Sequence, residues 1–400
     1  MPPLYNKIMR RIIIDASRAF EKEKTGVSWY CWNLLTELMK IVPGDWEVIL
    51  PVRSADADRT SFPDLPPNWR IKVLYAPFGR LWSQIALAKF VLKQKPDVFF
   101  VPSHVLPALV GRKIKSVVTI HDIAAINTNR AYSIFEKWYS LLSARHAMRV
   151  ARAIIVPSYA VKQDILQYFP CHARSANIIP VHHGVRLDLY KPRVATGLAG
   201  HGNAALKQFG ITQPYVFALG RIEEKKNTLM LVHAFEEMRR YGVAADLVLA
   251  GPFGYGAQAV KEAIQNSEFK DSIKVLGWVS QEQISQLMQN AQVFVFPSRA
   301  EGFGIPVLEA MACGTPSVAS DIPVLREVGG SAIDFASPSN SQKWARKMAE
   351  AINGSEDVKN RIKLGLERAQ AFTWRKCAEK TWEILQGFGV KTKVLTKNSL

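Results

Sequence analysis

The sequence predicts an α/β protein of two domains, each built on a parallel sheet. Three observations point there. Four hundred residues is too long for one typical core and comfortable for two domains. Short, wholly apolar, β-rich runs alternate with amphipathic helical stretches, the pattern of strands buried on both faces. Between Val194 and Leu206 lies a Gly/Ala-rich stretch with little apolar content, which reads as a linker joining two such halves.

Arg11–Asp15 reads as the first buried strand, and Thr25-Gly26-Val27 as the polar loop after it. A helix is expected from Ser28 to Met39, with Trp32, Leu35 and Leu38 near one face. The unit has Rossmann form but lacks GxGxxG, so a dinucleotide fingerprint is absent. Gly26 is either a turn residue or a point where a ligand nears the backbone. Trp46–Leu50 and Ile71–Tyr75 are the next strands, separated by a polar, Pro-rich loop from Arg53 to Asn68. Leu81–Lys95 forms an amphipathic helix with basic residues at its C-terminal end. That arrangement suits the helix dipole and also a membrane-facing helix. Asp97–Val101 and Ser116–Ile120 are further buried strands, and the second runs directly into His121-Asp122. Ligands of open α/β sheets bind beyond strand carboxyl ends, so His121 can face a cleft; it can equally cap a loop. A helix from Ser133 to Val150 is followed by the strand Ala153–Pro157 and by Ser158, a residue suited to cap the next helix. Arg145, His146, Arg149 and Arg152 form a basic cluster, and Ile178–Val185 closes the first half.

The second half opens with the strand Tyr215–Leu219 and the turn Gly220-Arg-Ile-Glu-Glu-Lys-Lys-Asn227. Arg gives bidentate phosphate contacts and Lys a point charge, so Arg221 and Lys226 suit a diphosphate. A solvated turn balanced by Glu223 and Glu224 is the plainer alternative. Asp246–Ala250 and Ile273–Leu276 continue the alternation. Val293–Phe296 is a buried strand, followed by a loop with Gly302 and Gly304 and then a helix. Pro306 suits its first position, Gly314 its left-handed stop, and Pro316 lies just beyond. The N–H groups of Phe303, Gly304 and Ile305 would then offer an anion site at the helix N-terminus. Glu301 on the loop and Glu309 in the helix bracket that site. A nucleotide-sugar has both characters, a diphosphate for the N–H groups and hydroxyls for the carboxylates. Ser317–Ala319 and Ala332–Phe335 supply late strands. Helices follow from Ser341 to Asn353, Glu356 to Ala371 and Trp374 to Gln386, and Lys391–Leu400 reads as a frayed basic tail.

Composition excludes several classes. Half-apolar content with 10% aromatics argues against disorder. No apolar run reaches the roughly 18–20 residues that span a bilayer, and Asp15 cuts Ile12-Ile13-Ile14 too short for a signal peptide. The four cysteines are scattered, as in a reducing cytoplasm. The net charge is +18, and residues 1–200 carry 28 Lys and Arg against 14 Asp and Glu. No nucleic-acid module accompanies the excess, which leaves an anionic membrane surface or simple solubility.

The string EGFGIPVLEAMACGTPSVAS resembles the signature of the retaining GT-B glycosyltransferases, family four. VVTIHDI, VPSYAVKQDI and GRIEEKKN are similar to further stretches of that family. The resemblance covers most of the chain and is densest over 215–337. It implies two Rossmann-like domains with parallel sheets facing across a cleft, and a C-terminal helix, starting near Phe372-Thr-Trp374, that crosses back. The implied division is an acceptor-binding domain over 1–193, a linker over 194–207, a nucleotide-sugar domain over 208–371, and the crossing helix and basic tail over 372–400. His121, Arg221, Lys226 and Glu301 would be catalytic. Gly26, Phe303, Gly304, Ile305, Glu309 and Val279 would bind donor, Val279 through the backbone beside a nucleobase. His183 stands where relatives usually read Asn, which leaves that loop's role open. The activity implied is transfer of a hexose, mannose from GDP-mannose first and other GDP- or UDP-linked sugars next. The acceptor would be a glycan or lipid-linked molecule in cell-surface polysaccharide synthesis. No cofactor or metal is expected, since no DxD pair suited to holding Mg²⁺ is present, and no nucleic-acid partner. The expected place is the cytoplasm, with peripheral attachment to the inner face of the membrane. The rivals are a GT-B sugar-nucleotide epimerase and a non-catalytic basic adaptor on membrane or nucleic acid.

Overall fold

The computed structural model describes residues 9–53, 62–76, 81–123, 134–173, 176–193, 204–212 and 214–389. Two parallel sheets organise the chain. The first has order β3-β2-β1-β4-β5-β6-β7, from β1 Arg10–Ile14, β2 Trp46–Arg53, β3 Trp69–Leu74, β4 Val98–Val101, β5 Ser116–Thr119, β6 Ala153–Val156 and β7 Ile178–Pro180. The second has order β10-β9-β8-β11-β12-β13. Its strands are β8 Tyr215–Leu219, β9 Asp246–Ala250, β10 Ile273–Gly277, β11 Val293–Phe296, β12 Ser317–Ser320 and β13 Asp334–Ala336. Strands such as β4, β6 and β11 are buried at every residue, as continuous apolar runs covered on both faces must be.

Each sheet carries an apolar core on each face. One core of the first sheet includes Trp374, Cys377, Trp382 and Leu385 beside Ile12, Tyr30 and Trp46. The helix Trp374–Gly389 therefore crosses back from the second domain. The approach is close enough that a Cβ on Gly389 would stand 1.9 Å from the Trp46 ring. Val185 and Tyr190, which precede the linker stretch, pack into a core of the second sheet.

Several expected boundaries move. The first helix is Gly26–Ile41 with Thr25 at its N-cap, so Gly26 and Val27 lie in its first turn and not in the loop. The Leu81–Lys95 helix is divided into a π-helical turn, Ser83–Leu87, and an α-helix, Ala88–Gln94, that stops at left-handed Lys95. Within the expected linker, residues 194–203 lie outside the described residues, and Ala204–Gln208 forms a short helix whose Ala205 joins the second core. The expected tail and residues 54–61 of the 53–68 loop also lie outside the described residues. Among the described residues no helix is long and apolar enough to cross a membrane.

Candidate active site

In the second sheet the chain order reverses between β8 and β11, which pair side by side. A ligand crevice opens beyond strand carboxyl ends at such a reversal. Here it lies between Gly220–Ile222 after β8, Pro297–Ser298 after β11, and Lys226 and Thr228. The strand ends are pressed together. Gly251, at φ 140°, could carry no Cβ, because that atom would stand 2.1 Å from the Gly220 carbonyl oxygen.

Lys226 ends the 3₁₀ turn Glu224–Lys226, after which Asn227 turns left-handed at φ 58°. Buried Asn227 donates to the Pro338 carbonyl at 2.7 Å and accepts from Arg299 at 3.0 Å. These bonds tie the turn to the segments after β13 and β11. Across that tie the Lys226 ammonium meets Glu301 Oε1 at 2.6 Å. Arg221, with 55% of its side chain exposed, makes only a loose 4.0 Å pairing to Glu223, so its donors stay available. Ser298 is fully buried in the same wall, and its hydroxyl has no hydrogen-bond partner among the described residues.

The next helix runs Ile305–Cys313, with Gly304 as its N-cap at φ 102° and Gly314 as its stop at φ 72°. Pro306 is thus the second helical residue, one later than expected. The first N–H groups of a helix have no partner inside it, so those near Ile305 are suited to an anion. The Phe303 side chain is buried among His182, His183 and Phe372, which leaves only its backbone for a ligand. Glu309 is buried as well, and burial pushes its carboxyl up to about 7 against the pull of the Tyr190 hydroxyl and Arg186. The Tyr190 hydroxyl also reaches Gln281 at 3.1 Å.

The first-domain wall is different in kind. His121 follows β5, and its Nε2 lies 2.9 Å from the Pro102 carbonyl oxygen. A carbonyl only accepts, so Nε2 carries the proton and Nδ1 is left as an acceptor. Burial, with His104 nearby, lowers the His121 pKa to about 3, so the ring is neutral at physiological pH. Tyr30 packs edge-on at 4.6 Å and His183 at 5.5 Å. His183 stacks on Trp374 at 5.9 Å, and neither of its ring nitrogens has a partner among the described residues. The position that departs from the family pattern is therefore the centre of an aromatic block joining the first domain, the crossing helix and Phe303.

The two walls touch. A Cβ on Gly302 would stand 1.9 Å from the His121 carbonyl oxygen, and Ser158 donates to the Gly302 carbonyl at 2.9 Å. Arg221, Lys226, Glu301 and the 303–305 backbone are thus gathered at one strand reversal, with His121 opposite. Val279 is buried in the second core, so its backbone alone could serve a ligand. Gly26 is exposed, and a Cβ there would meet nothing within 4 Å, so nothing in its surroundings requires glycine. Sequence reasoning missed Ser298 and Tyr190. A serine ending an apolar strand run was a signal for the first, whereas Tyr190 had none.

Known proteins agree at the level of family and fold. Residues 25–189 match the family described as Glycosyltransferase Family 4, and residues 205–368 match Glycosyl transferases group 1. The chain is 27% identical over 293 residues to O-antigen chain mannosyltransferase B of Escherichia coli, covering 72% of this chain and 73% of that protein. It is 24% identical over 346 residues to O-antigen chain mannosyltransferase RfbU of Salmonella typhimurium, covering 83% and 88%. The Anabaena Alr3699/HepE structure in complex with UDP-glucose superposes with a TM-score of 0.71 at 20% identity, covering 95% of this chain and all of that one.

Proposed function

Since the chain is a family 4-like glycosyltransferase of the GT-B fold, we propose that it moves a hexose from a nucleotide-sugar to a glycan or lipid-linked acceptor with retained anomeric configuration. The observation that carries this reading is the 2.6 Å Lys226–Glu301 pair at the β8/β11 reversal. It sets a cation for the leaving diphosphate beside a carboxylate for the hexose hydroxyls. In the step, the bond from the anomeric carbon to the diphosphate oxygen breaks and its electron pair leaves with that oxygen. The acceptor hydroxyl oxygen bonds the same face of the carbon, and its proton passes to the departing phosphate oxygen. Arg221, Lys226 and the helix N-terminus meet the charge that builds there, and one such donor is worth about 10²–10³ in rate. No resident cofactor or metal is part of this reading, because those groups supply the positive charge themselves. Neutral His121 accepts a hydrogen bond from the hexose. GDP-mannose is the favoured donor because both sequence relatives named above are mannosyltransferases, and polysaccharide assembly is the favoured setting for the same reason. Incubation with a panel of nucleotide-sugars and mannosyl acceptors, read by product NMR, tests it. Acceptor-dependent release of nucleoside diphosphate with a retained anomeric centre is expected. An inverted product, or acceptor-free conversion of one nucleotide-sugar into another, would overturn the reading.

We also propose that the protein sits peripherally on the cytoplasmic face of an anionic membrane, through one surface of the first domain. Leu81, Ile85 and Leu92 are exposed along residues 81–94, Trp138 and Leu142 on the helix Ile134–Val150, and Leu109 between them in sequence. Gln84 joins these elements into one surface, donating to the Tyr139 hydroxyl at 3.4 Å and accepting from the Ala108 N–H at 2.9 Å. Residues 81–152 hold eleven Lys and Arg against three Asp and Glu, and a basic residue near such a surface contributes about 1 kcal/mol. Flotation with anionic vesicles should recover the protein at low salt, and the paired Trp138→Ser, Leu142→Ser variant should stay in solution. Equal binding to neutral vesicles, or none to either, would remove this attachment and leave the transfer reading standing.

A further inference from the structure

Beyond the crevice, the first domain grips the second at a point that no site residue occupies. Glu327 lies on the second-domain helix Pro323–Gly329. Its two carboxylate oxygens accept from the N–H groups of Tyr159 at 2.8 Å and Ala160 at 2.9 Å. Those are the first two residues of the ten-residue helix Tyr159–Tyr168 in the first domain. His182 Nε2 lies 2.8 Å from the same carboxylate. Behind it, the Arg368 guanidinium binds the carbonyl oxygens of Glu327 and Val328 at 2.6 and 2.5 Å, which fixes the end of the short helix that carries the glutamate. A carboxylate at a helix N-terminus meets both the unpaired N–H groups and the positive end of the dipole. Burial works to raise the Glu327 pKa, but His182 and the two amides outweigh it and hold the group below its ordinary range.

The residue before those two amides is Ser158, which caps the same helix and donates to the Gly302 carbonyl at 2.9 Å. One helix terminus therefore holds two separate pieces of the second domain. One piece is Glu327, and the other is the loop that carries Glu301. Nothing else could let Gly302 approach so closely: any side chain there would collide with the His121 carbonyl.

We infer that Glu327 is a positioning residue whose capture by the 159–168 helix terminus seats the Glu301–Gly304 loop against His121, so that docking of the domains and assembly of the hexose site are one event. This rests on the reading that Glu301 and His121 border the transferred hexose. Interactions realised only in the assembled state raise turnover without strengthening binding of the part already held. The diphosphate groups of the site, Arg221 and Lys226, belong to the second domain alone.

The test compares Glu327→Ala, Glu327→Gln and His182→Ala with the unaltered protein. Three readouts are needed: transfer kinetics, calorimetry with the nucleoside diphosphate, and amide hydrogen exchange at Tyr159 and Ala160. Glu327→Ala should lower kcat by about 10–100-fold, the loss of charge-assisted hydrogen bonds, while the nucleoside diphosphate binds as before. Exchange at the two amides should quicken. Glu327→Gln, which keeps an acceptor oxygen, should fall between. A merely structural role predicts parallel losses in diphosphate affinity and thermal midpoint, and that result would overturn the inference, as would an unchanged kcat. Should Glu327→Ala fail to fold, His182→Ala and Glu327→Gln decide by the same criteria. Absence of transfer by the unaltered protein would instead count against the proposed function, and the exchange measurement would still report whether Glu327 covers the helix terminus.

Discussion

The first-domain wall of the cleft presents Tyr30, His121 and His183, all buried, with both imidazoles held neutral by burial. The second-domain wall presents Arg221, Lys226 and Glu301, whose side chains are 55, 22 and 12% exposed. Both walls stand beyond the carboxyl ends of parallel strands, so topology does not explain the contrast. Solvation does. A charge survives where water or an opposite charge compensates it, as for Lys226 against Glu301, and an imidazole sealed among aromatic rings gives up its proton instead. One wall can answer charge, and the other offers shape and the acceptor nitrogens of neutral imidazoles.

The strongest way to break that contrast is to discharge the second wall. Lys226→Ala should lower kcat/KM by about 10²–10³-fold and leave the fold intact, since its ammonium is partly exposed. Unchanged kcat/KM, or an unfolded variant, would end the assignment of the diphosphate to this wall. Glu301→Gln should mainly lower turnover and blur the choice of hexose, with the nucleoside diphosphate still bound.

Glu309 sharpens the contrast, because it is a carboxyl of the second domain in surroundings like those of the first wall. Its folded pKa of about 7 lies above the ordinary 4.5, so the stability linked to it is complete below about 4.5 and lost as pH rises through 7. Removing the titration with Glu309→Gln should raise the relative thermal stability at pH 8 by up to about 3 kcal/mol and leave it unchanged at pH 4. If the ionised form accepts ribose hydroxyls, nucleoside diphosphate affinity should strengthen between pH 6 and 8 in the unaltered protein, and be weaker and flat in the variant. Calorimetry across that range checks both. Equal losses of affinity in Glu301→Gln and Glu309→Gln would sink the division of labour between them.

The smallest effect is expected at His121. Its neutral ring predicts no inflection in kcat/KM from this group between pH 6 and 8, and His121→Ala should cost about fivefold to tenfold, one ordinary hydrogen bond. An inflection near 6.5 that disappears in His121→Ala would mean the first wall carries charge after all.

Much of this was legible locally. Val293–Phe296, Tyr215–Leu219 and Asp246–Ala250 are strands at the predicted residues, because largely apolar runs between turn signals leave little choice. Gly314 ends its helix as its position suggested. Lys226 and Glu301 meet at the strand reversal, where Arg221 also lies, because the reversal gathers turns that each carry their own polar pattern. The rest depends on distant partners. Glu327 meets Tyr159 across 168 positions of sequence, and Tyr190 meets Gln281 across 91, so no local pattern could announce either. The burial of Glu309 was hidden for the same reason: an internal helical glutamate looks alike whether it faces water or a tyrosine. Gly26 was expected in the loop before the helix, yet it opens the first turn, where glycine is tolerated.

The crossing helix sets a timetable for biosynthesis. Trp46 packs against Trp382 at 5.1 Å between ring centroids, and 336 residues separate them. At about 5–20 residues per second, a ribosome needs roughly 20–70 s to make the second partner after the first. Throughout that interval the nascent first domain lacks one side of its core, with Trp46 and its neighbours uncovered. The order of manufacture thus runs against the usual one, in which an N-terminal domain is finished first, and a chain released before Trp374 should be held by chaperones or degraded as an incomplete domain.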